Sequence, residues 1–178
     1  MRSNRRPCHL WLFALLLGWV CAVAPLSAAD KIRPRPEWGV TIGNVVARLA
    51  VLWSLEEASR WLTSERCQAL LTEFHDERRQ PLADRLTVLG TDIQSYLRMI
   101  RFVEGSSYRS CKGAAAFTEP GSRVVYICDS AFQRIWQSDR MWAAAIVLHE
   151  ALHSLGLGEN PPTSDQITKR VLARCTAG

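Results

Sequence analysis

No two of the six cysteines stand in C-x-x-C spacing, which disfavours a structural zinc knuckle and a thioredoxin-like redox motif. The apolar run Leu10 to Val23 is short for a bilayer span, which asks for roughly 20 apolar residues. Runs of one charge are missing as well. Charges beyond residue 30 are mixed in sign, so nothing in the chain calls for a nucleic-acid partner. Histidine is held to four positions, His9, His75, His149 and His153, and two of these stand four apart.

What is present begins with a targeting pattern. Arg2, Arg5 and Arg6 give a basic start, an apolar stretch follows, and Pro25-Leu26-Ser27-Ala28-Ala29 supplies small residues before Asp30. This is the layout of a secretory signal peptide over 1–29, cleaved after Ala29, and it predicts a secreted or periplasmic protein with no stable membrane anchor after cleavage. The segment carries three arginines and no acid, so the formal charge falls from +5 to +2 on its removal. Residues 30–178, about 150 in number, are the size of one domain with a real core. Within them 30 to 40, with Pro34 and Pro36 between arginines, read as an extended lead outside the packed core.

Four cysteines remain after the leader, an even set suited to two disulfides in an oxidising compartment. From Thr41 to about Leu62 the residues Val45, Val46, Leu49, Leu52, Trp53 and Leu55 recur at helical spacing, with the β-branched pairs leaving a strand open at the start. Ser64 can cap a helix from Glu65 to about His75, Pro81 can open one that Gly90 stops, and Asp92 to Met99 suits a further short helix before a first strand ending near Val103. Ala114 to Thr118 and Arg123 to Cys128 read as strands joined by Glu119-Pro120-Gly121-Ser122, a type II turn by its proline and glycine. The resulting register sets Gly113 opposite Cys128 and brings Cys111 close enough to bond to it. Cys67 and Cys175 pair by elimination. His75, among Glu73, Asp76 and Glu77, reads as a solvated helix end rather than a second metal site.

The stretch around which the chain is organised is His149-Glu150-Ala151-Leu152-His153, running on to Gly156 and Glu159. Residues four apart lie on one helical face, so both imidazoles can reach a single ion, and the carboxylate next to the first can take a proton from a water the ion activates. Such residues also occur as polar positions on ordinary amphipathic helices. Here, however, the preceding run Met141 to Leu148 is apolar nearly all round, as in a helix at a domain centre, where a His/Glu set is costly unless something binds it.

This H-E-x-x-H pattern resembles the active-site helix of the zincin metallopeptidases. With Gly156 three residues after His153 and Glu159 six after it, the stretch resembles the metzincin branch, in which a glycine turn delivers the third ligand. Metzincins also place a methionine turn after that ligand, and this chain has no methionine beyond Met141. The hairpin residues Ala116 to Pro120 and Val125 to Cys128 resemble the corresponding hairpin of the aspzincins, whose third ligand is an aspartate in T-x-D; Thr163-Ser164-Asp165 matches those two letters. The resemblance implies a zinc ion held by His149, His153 and Glu159, with Asp165 as the rival third ligand, and Glu150 as the catalytic base. It also implies a hairpin edge along which a substrate peptide lies as an added strand. Thr163 to Gln166 has in addition the form of a capping box, a sufficient structural use for that stretch.

The expectation is therefore an α+β fold: a small zincin-like domain with N-terminal helices, a short antiparallel hairpin or sheet, a buried active-site helix and a C-terminal helix. The expected function is an exported zinc-dependent peptidase, a monomer acting on a peptide or protein substrate. The alternatives are a zinc hydrolase of another target and an inactive envelope or binding module on the same scaffold. Tyr126 is the candidate for stabilising the oxyanion, with a packed strand position as its competing role.

Overall fold

The computed structural model describes residues 38–159 and 161–176. The expected leader and residues 30–37 of the lead lie outside them. The architecture is α+β, as the patterning implies. Strand β1 (Gly39–Thr41) is followed by helices α1 (Val45–Trp61), α2 (Glu65–Gln68), α3 (Leu70–Glu73), α4 (Leu82–Leu89) and α5 (Ile93–Met99). Strand β2 (Arg101–Glu104), a 3-10 turn (Arg109–Lys112) and the hairpin strands β3 (Ala116–Phe117) and β4 (Val124–Ile127) come next, then helices α6 (Asp129–Ser138), α7 (Arg140–Ser154) and α8 (Ser164–Cys175).

The sheet runs β1-β2-β4-β3 and is mixed: β1, β2 and β4 are parallel, and only the hairpin partner β3 is antiparallel, at the edge. β1 corrects the expectation that residues up to 40 stay outside the core. Trp38 is buried, and Gly39 to Thr41 pair with Arg101 to Val103. The missing Cβ of Gly39 lets the strand sit close, since one there would come within 3.1 Å of Ile100 O.

α1 forms where expected, capped by the Asn44 side chain, which accepts from the amides of Val46 and Ala47. Its buried face is not the one its larger residues suggest. Ala47, Ala50, Val51, Leu55 and Ala58 are buried, whereas Val45, Val46 and Leu49 are exposed. The reason is the partner: α1 packs along α7, whose buried residues include Ala143, Ala144, Ala145 and Ala151, and small side chains suit a close helix pair. The single helix expected from Glu65 to His75 is instead two, α2 and α3, separated at Ala69, and the second ends at Glu73; beyond it Asp76 bridges to Leu157 and accepts through Oδ1 from the amides of Arg78 and Gln80. Gly90 stops α4 in the left-handed conformation (φ 62°), as its position predicts.

Both disulfides form as paired above. Cys111–Cys128 closes a separation of 17 residues, worth about 3 kcal/mol on loop entropy, and Cys67–Cys175 closes 108, worth about 4.7 kcal/mol. The hairpin register differs by two residues from the expected one: Ala116 faces Ile127, and Cys128 donates its amide to Ala115 O. The turn itself keeps its Ser122 amide to Glu119 O bond, with Gly121 at φ 83°. Two other bonds draw it off the ladder. Thr118 Oγ1 donates to Val124 O, and the Gly121 amide donates to His153 O at 2.9 Å. Cys111 still reaches Cys128 because the 3-10 turn carries it there.

Candidate metal centre

α7 runs through the middle of the domain, against α1, α6, α8 and the hairpin strands. It starts at a good cap, Asp139 accepting from the Trp142 amide, and buries Ala143 to Ala145, Val147 and Leu148 before reaching the polar triplet. His149, Glu150 and His153 are all buried, at 4, 5 and 5 % exposure, far below what such groups tolerate without a reason.

The helix ends as the glycine predicts. The Gly156 amide donates to His153 O and the Leu157 amide to Leu152 O, the two bonds of a Schellman motif, with Gly156 at φ 113°. This reversal has two products. It swings Leu157 O back to 2.7 Å from His153 Nδ1, and it brings Glu159 over the histidines. A side chain at 156 would be strained by its φ and would press on Asp76 Cβ at 3.3 Å.

Three acceptor atoms converge at this point. His153 Nε2 lies 2.8 Å from His149 Nε2 and 3.2 Å from Glu159 Oε1, and His149 Nε2 lies 3.5 Å from the same oxygen. Leu157 O can only accept, so the His153 proton is on Nδ1 and its Nε2 presents a lone pair inward. The His149 ring is engaged at Nδ1 by Thr168 Oγ1, 2.9 Å away. Two buried ring nitrogens and an oxygen of the half-exposed Glu159 carboxylate, aimed at one another, make a donor set that could hold a metal ion; these three residues form the group suited to one among the described residues.

Glu150 points elsewhere. Its Oε2 is buried with no hydrogen-bond partner among the described residues, and only the Thr118 amide faces the carboxylate. Burial pushes its pKa up to about 8, Glu159 adds to the rise, and Thr118 opposes it. For His149 burial dominates in the other direction, with His153 adding, and takes the ring down to about 4, so it is neutral and able to ligate at pH 7.

These shifts carry opposite signs for the stability of the metal-free protein. The raised Glu150 contributes fully below its unfolded value of 4.5 and loses that contribution as pH rises towards 8; the depressed His149 costs stability at low pH, and the cost disappears by pH 6.5. The two oppose one another up to pH 6.5, and above it Glu150 acts alone. Chelator-treated protein should therefore lose about 2 kcal/mol between pH 6.5 and 8, read by calorimetry, and the Glu150→Gln variant should lose none of it.

Two cavities flank Glu150. One, of about 420 Å³, is lined by Phe117, Thr118, Pro120, His153 and Glu159; the other, of about 380 Å³, by Ile135, Trp142, Ile146, His149 and Thr168. Ala114, Ala116, Glu150 and Ser164 border both, so the edge of the hairpin and α7 both wall the cleft.

The sequence-derived residues sort cleanly. His149, His153 and Glu159 come together and Glu150 stands beside them. Asp165 does not join: it is exposed and paired with Lys169 at 2.8 Å, on the first turn of a helix held by the expected Thr163/Gln166 capping box. Tyr126 is not at the cleft either. Its ring stacks on Phe117, with centroids 5.0 Å apart, and its hydroxyl interacts with Tyr108, whose hydrogen bond raises it. His75 is exposed and keeps away from the cluster, its Nδ1 3.2 Å from Glu73 O. Thr168 escaped the sequence reading; the available signal was a threonine inside the buried Ile167–Val171 stripe of α8.

The fold and the site together define an α+β domain with a buried histidine pair and a carboxylate that can hold a metal ion. Set against known proteins, the chain matches no family model, no curated protein and no solved structure. Two disulfides brace it, and no helix among the described residues is long and apolar enough to cross a membrane.

Proposed function

We propose that this protein is an exported zinc-dependent peptidase. The observation that carries the reading is the pairing of a three-acceptor cluster with a separate, buried carboxylate at the floor of a cleft. A purely structural ion has no use for Glu150, whose burial without a partner for Oε2 costs stability.

The separations of 2.8, 3.2 and 3.5 Å bracket the edge of a tetrahedron with zinc-like arms, about 3.3 Å, and two histidines with one glutamate leave the fourth corner open. Zinc, when bound, supplies Lewis acidity to a carbonyl and lowers the pKa of a water. Everything else falls to the chain. Glu150, as a carboxylate whose basicity burial raises, takes the proton of the attacking water and later delivers it to the leaving amine. The substrate backbone lies along β3. Because Ala115 O and Phe117 face β4, the amide and carbonyl of Ala116 point to the open edge, the side on which the Thr118 amide already meets Glu150. Export fits the disulfides and the leader-like N-terminus.

Digestion of a mixed peptide library tests the reading. Zinc-loaded protein should cut peptides within the library, chelator should stop the cutting, and added zinc should restore it. Cleavage that continues undiminished in chelator would reject the proposal.

A further inference from the structure

We propose that Thr168 is a positioning residue that selects the metal-ready tautomer of His149; this rests on the metal reading of the site, not on the identity of the substrate. A neutral imidazole carries one N–H, on either nitrogen, and only the ring with its proton on Nδ1 offers the Nε2 lone pair to an ion. His153 obtains this from a carbonyl, which can do nothing but accept. His149 faces a hydroxyl at 2.9 Å, and a hydroxyl in isolation can act either way.

The surroundings of Thr168 decide the direction. Its Oγ1 donates to Ser164 O one helical turn back, at 3.2 Å, so the hydroxyl hydrogen is committed and a lone pair is turned to His149. His149 Nδ1–H then donates to Thr168 Oγ1, and Nε2 is left to ligate. Both residues are buried, at 4 and 5 % exposure, so the ring depends on this contact. The alternative tautomer is close at hand: a proton on His149 Nε2 would face His153 Nε2 only 2.8 Å away, and the two rings would bond to each other in place of an ion.

α8 is built to hold the hydroxyl still. The Thr163/Gln166 capping box fixes its start, Ile167 and Val171 bury on either side of Thr168, and its far end is bonded through Cys175 to Cys67 and paired through Arg170 and Arg174 with Glu73. Loss of such an outer partner typically lowers metal affinity by about 10–100-fold.

The test uses the full chain with zinc as the probe, in two measurements. Nitrogen NMR of the metal-free wild type should place the His149 proton on Nδ1, and a chelator competition should give its zinc affinity. Thr168→Val, which keeps the shape and removes the acceptor, should weaken zinc by about 10–100-fold and shift the His149 proton to Nε2; Thr168→Ser should restore both. Wild-type protein with the proton on Nε2 overturns the inference even if the valine variant does not fold, as does a valine variant that binds zinc within twofold of wild type. A wild type that binds no zinc overturns instead the metal reading beneath it.

Discussion

Glu150→Gln is expected to bind metal as the wild type does while cleaving peptides about 10²–10⁴-fold more slowly, the range removed with a general acid–base group. The amide has the size of the carboxylate and lies outside the ligand trio, so the cluster of His149, His153 and Glu159 is left alone. It cannot accept and return a proton. Near pH 7 an amide in place of an acid pushed up to about 8 exchanges one largely neutral buried group for another, so thermal stability should hold. The pair of assays, metal content by elemental analysis and turnover on a peptide cut by the wild type, separates the roles. Equal turnover in the variant would remove Glu150 from the chemistry, and lost metal would make it a ligand.

The second large effect concerns the third ligand. Glu159→Ala should weaken zinc by at least about 100-fold, because two histidines alone leave the ion short of the three protein ligands a catalytic site uses. Asp165→Ala should leave affinity within about twofold. Its carboxylate is exposed and spends itself on Lys169, an exposed pair worth about 0.3–0.5 kcal/mol, and it is not among the three groups that converge. Competition with a coloured chelator measures both. A reversal, with the aspartate variant losing the ion, would mean that α8 and not the loop after Gly156 completes the site.

The site was legible where local rules govern it. Helical spacing put His149 and His153 on one face, and a glycine three residues later could turn the chain by no other common route than the left-handed conformation. The reach from that turn to Glu159 is short enough that little else in the fold can alter it. The cysteine pairs were legible because the Pro-Gly turn set the two strands side by side; the 3-10 turn then closes the remaining step from Ala115 back to Cys111, and one pairing is left over. What depended on distant neighbours was not legible. The alanine-containing face of α1 outranked Val45, Val46 and Leu49 because that side is the one packed along α7, and β1 was hidden in a lead whose prolines suggested no packing. The hairpin slipped by two residues because Gly121 had a bond to make with His153 O, an acceptor 32 positions further on. Thr168 looks like an ordinary helical threonine until the ring of His149 is set beside it.

That bond to His153 O also ties the hairpin to the candidate metal centre. One oxygen receives both the Gly121 amide and the Gly156 amide, so the peptide unit of a residue in the cluster is shared between the bend of the hairpin and the end of α7. Suppose a guest strand settling on β3 tightens the grip on the ion through that shared atom. Thermodynamic reciprocity then requires the ion to tighten the grip on the guest by the same factor. Loading and substrate capture would be two faces of one equilibrium.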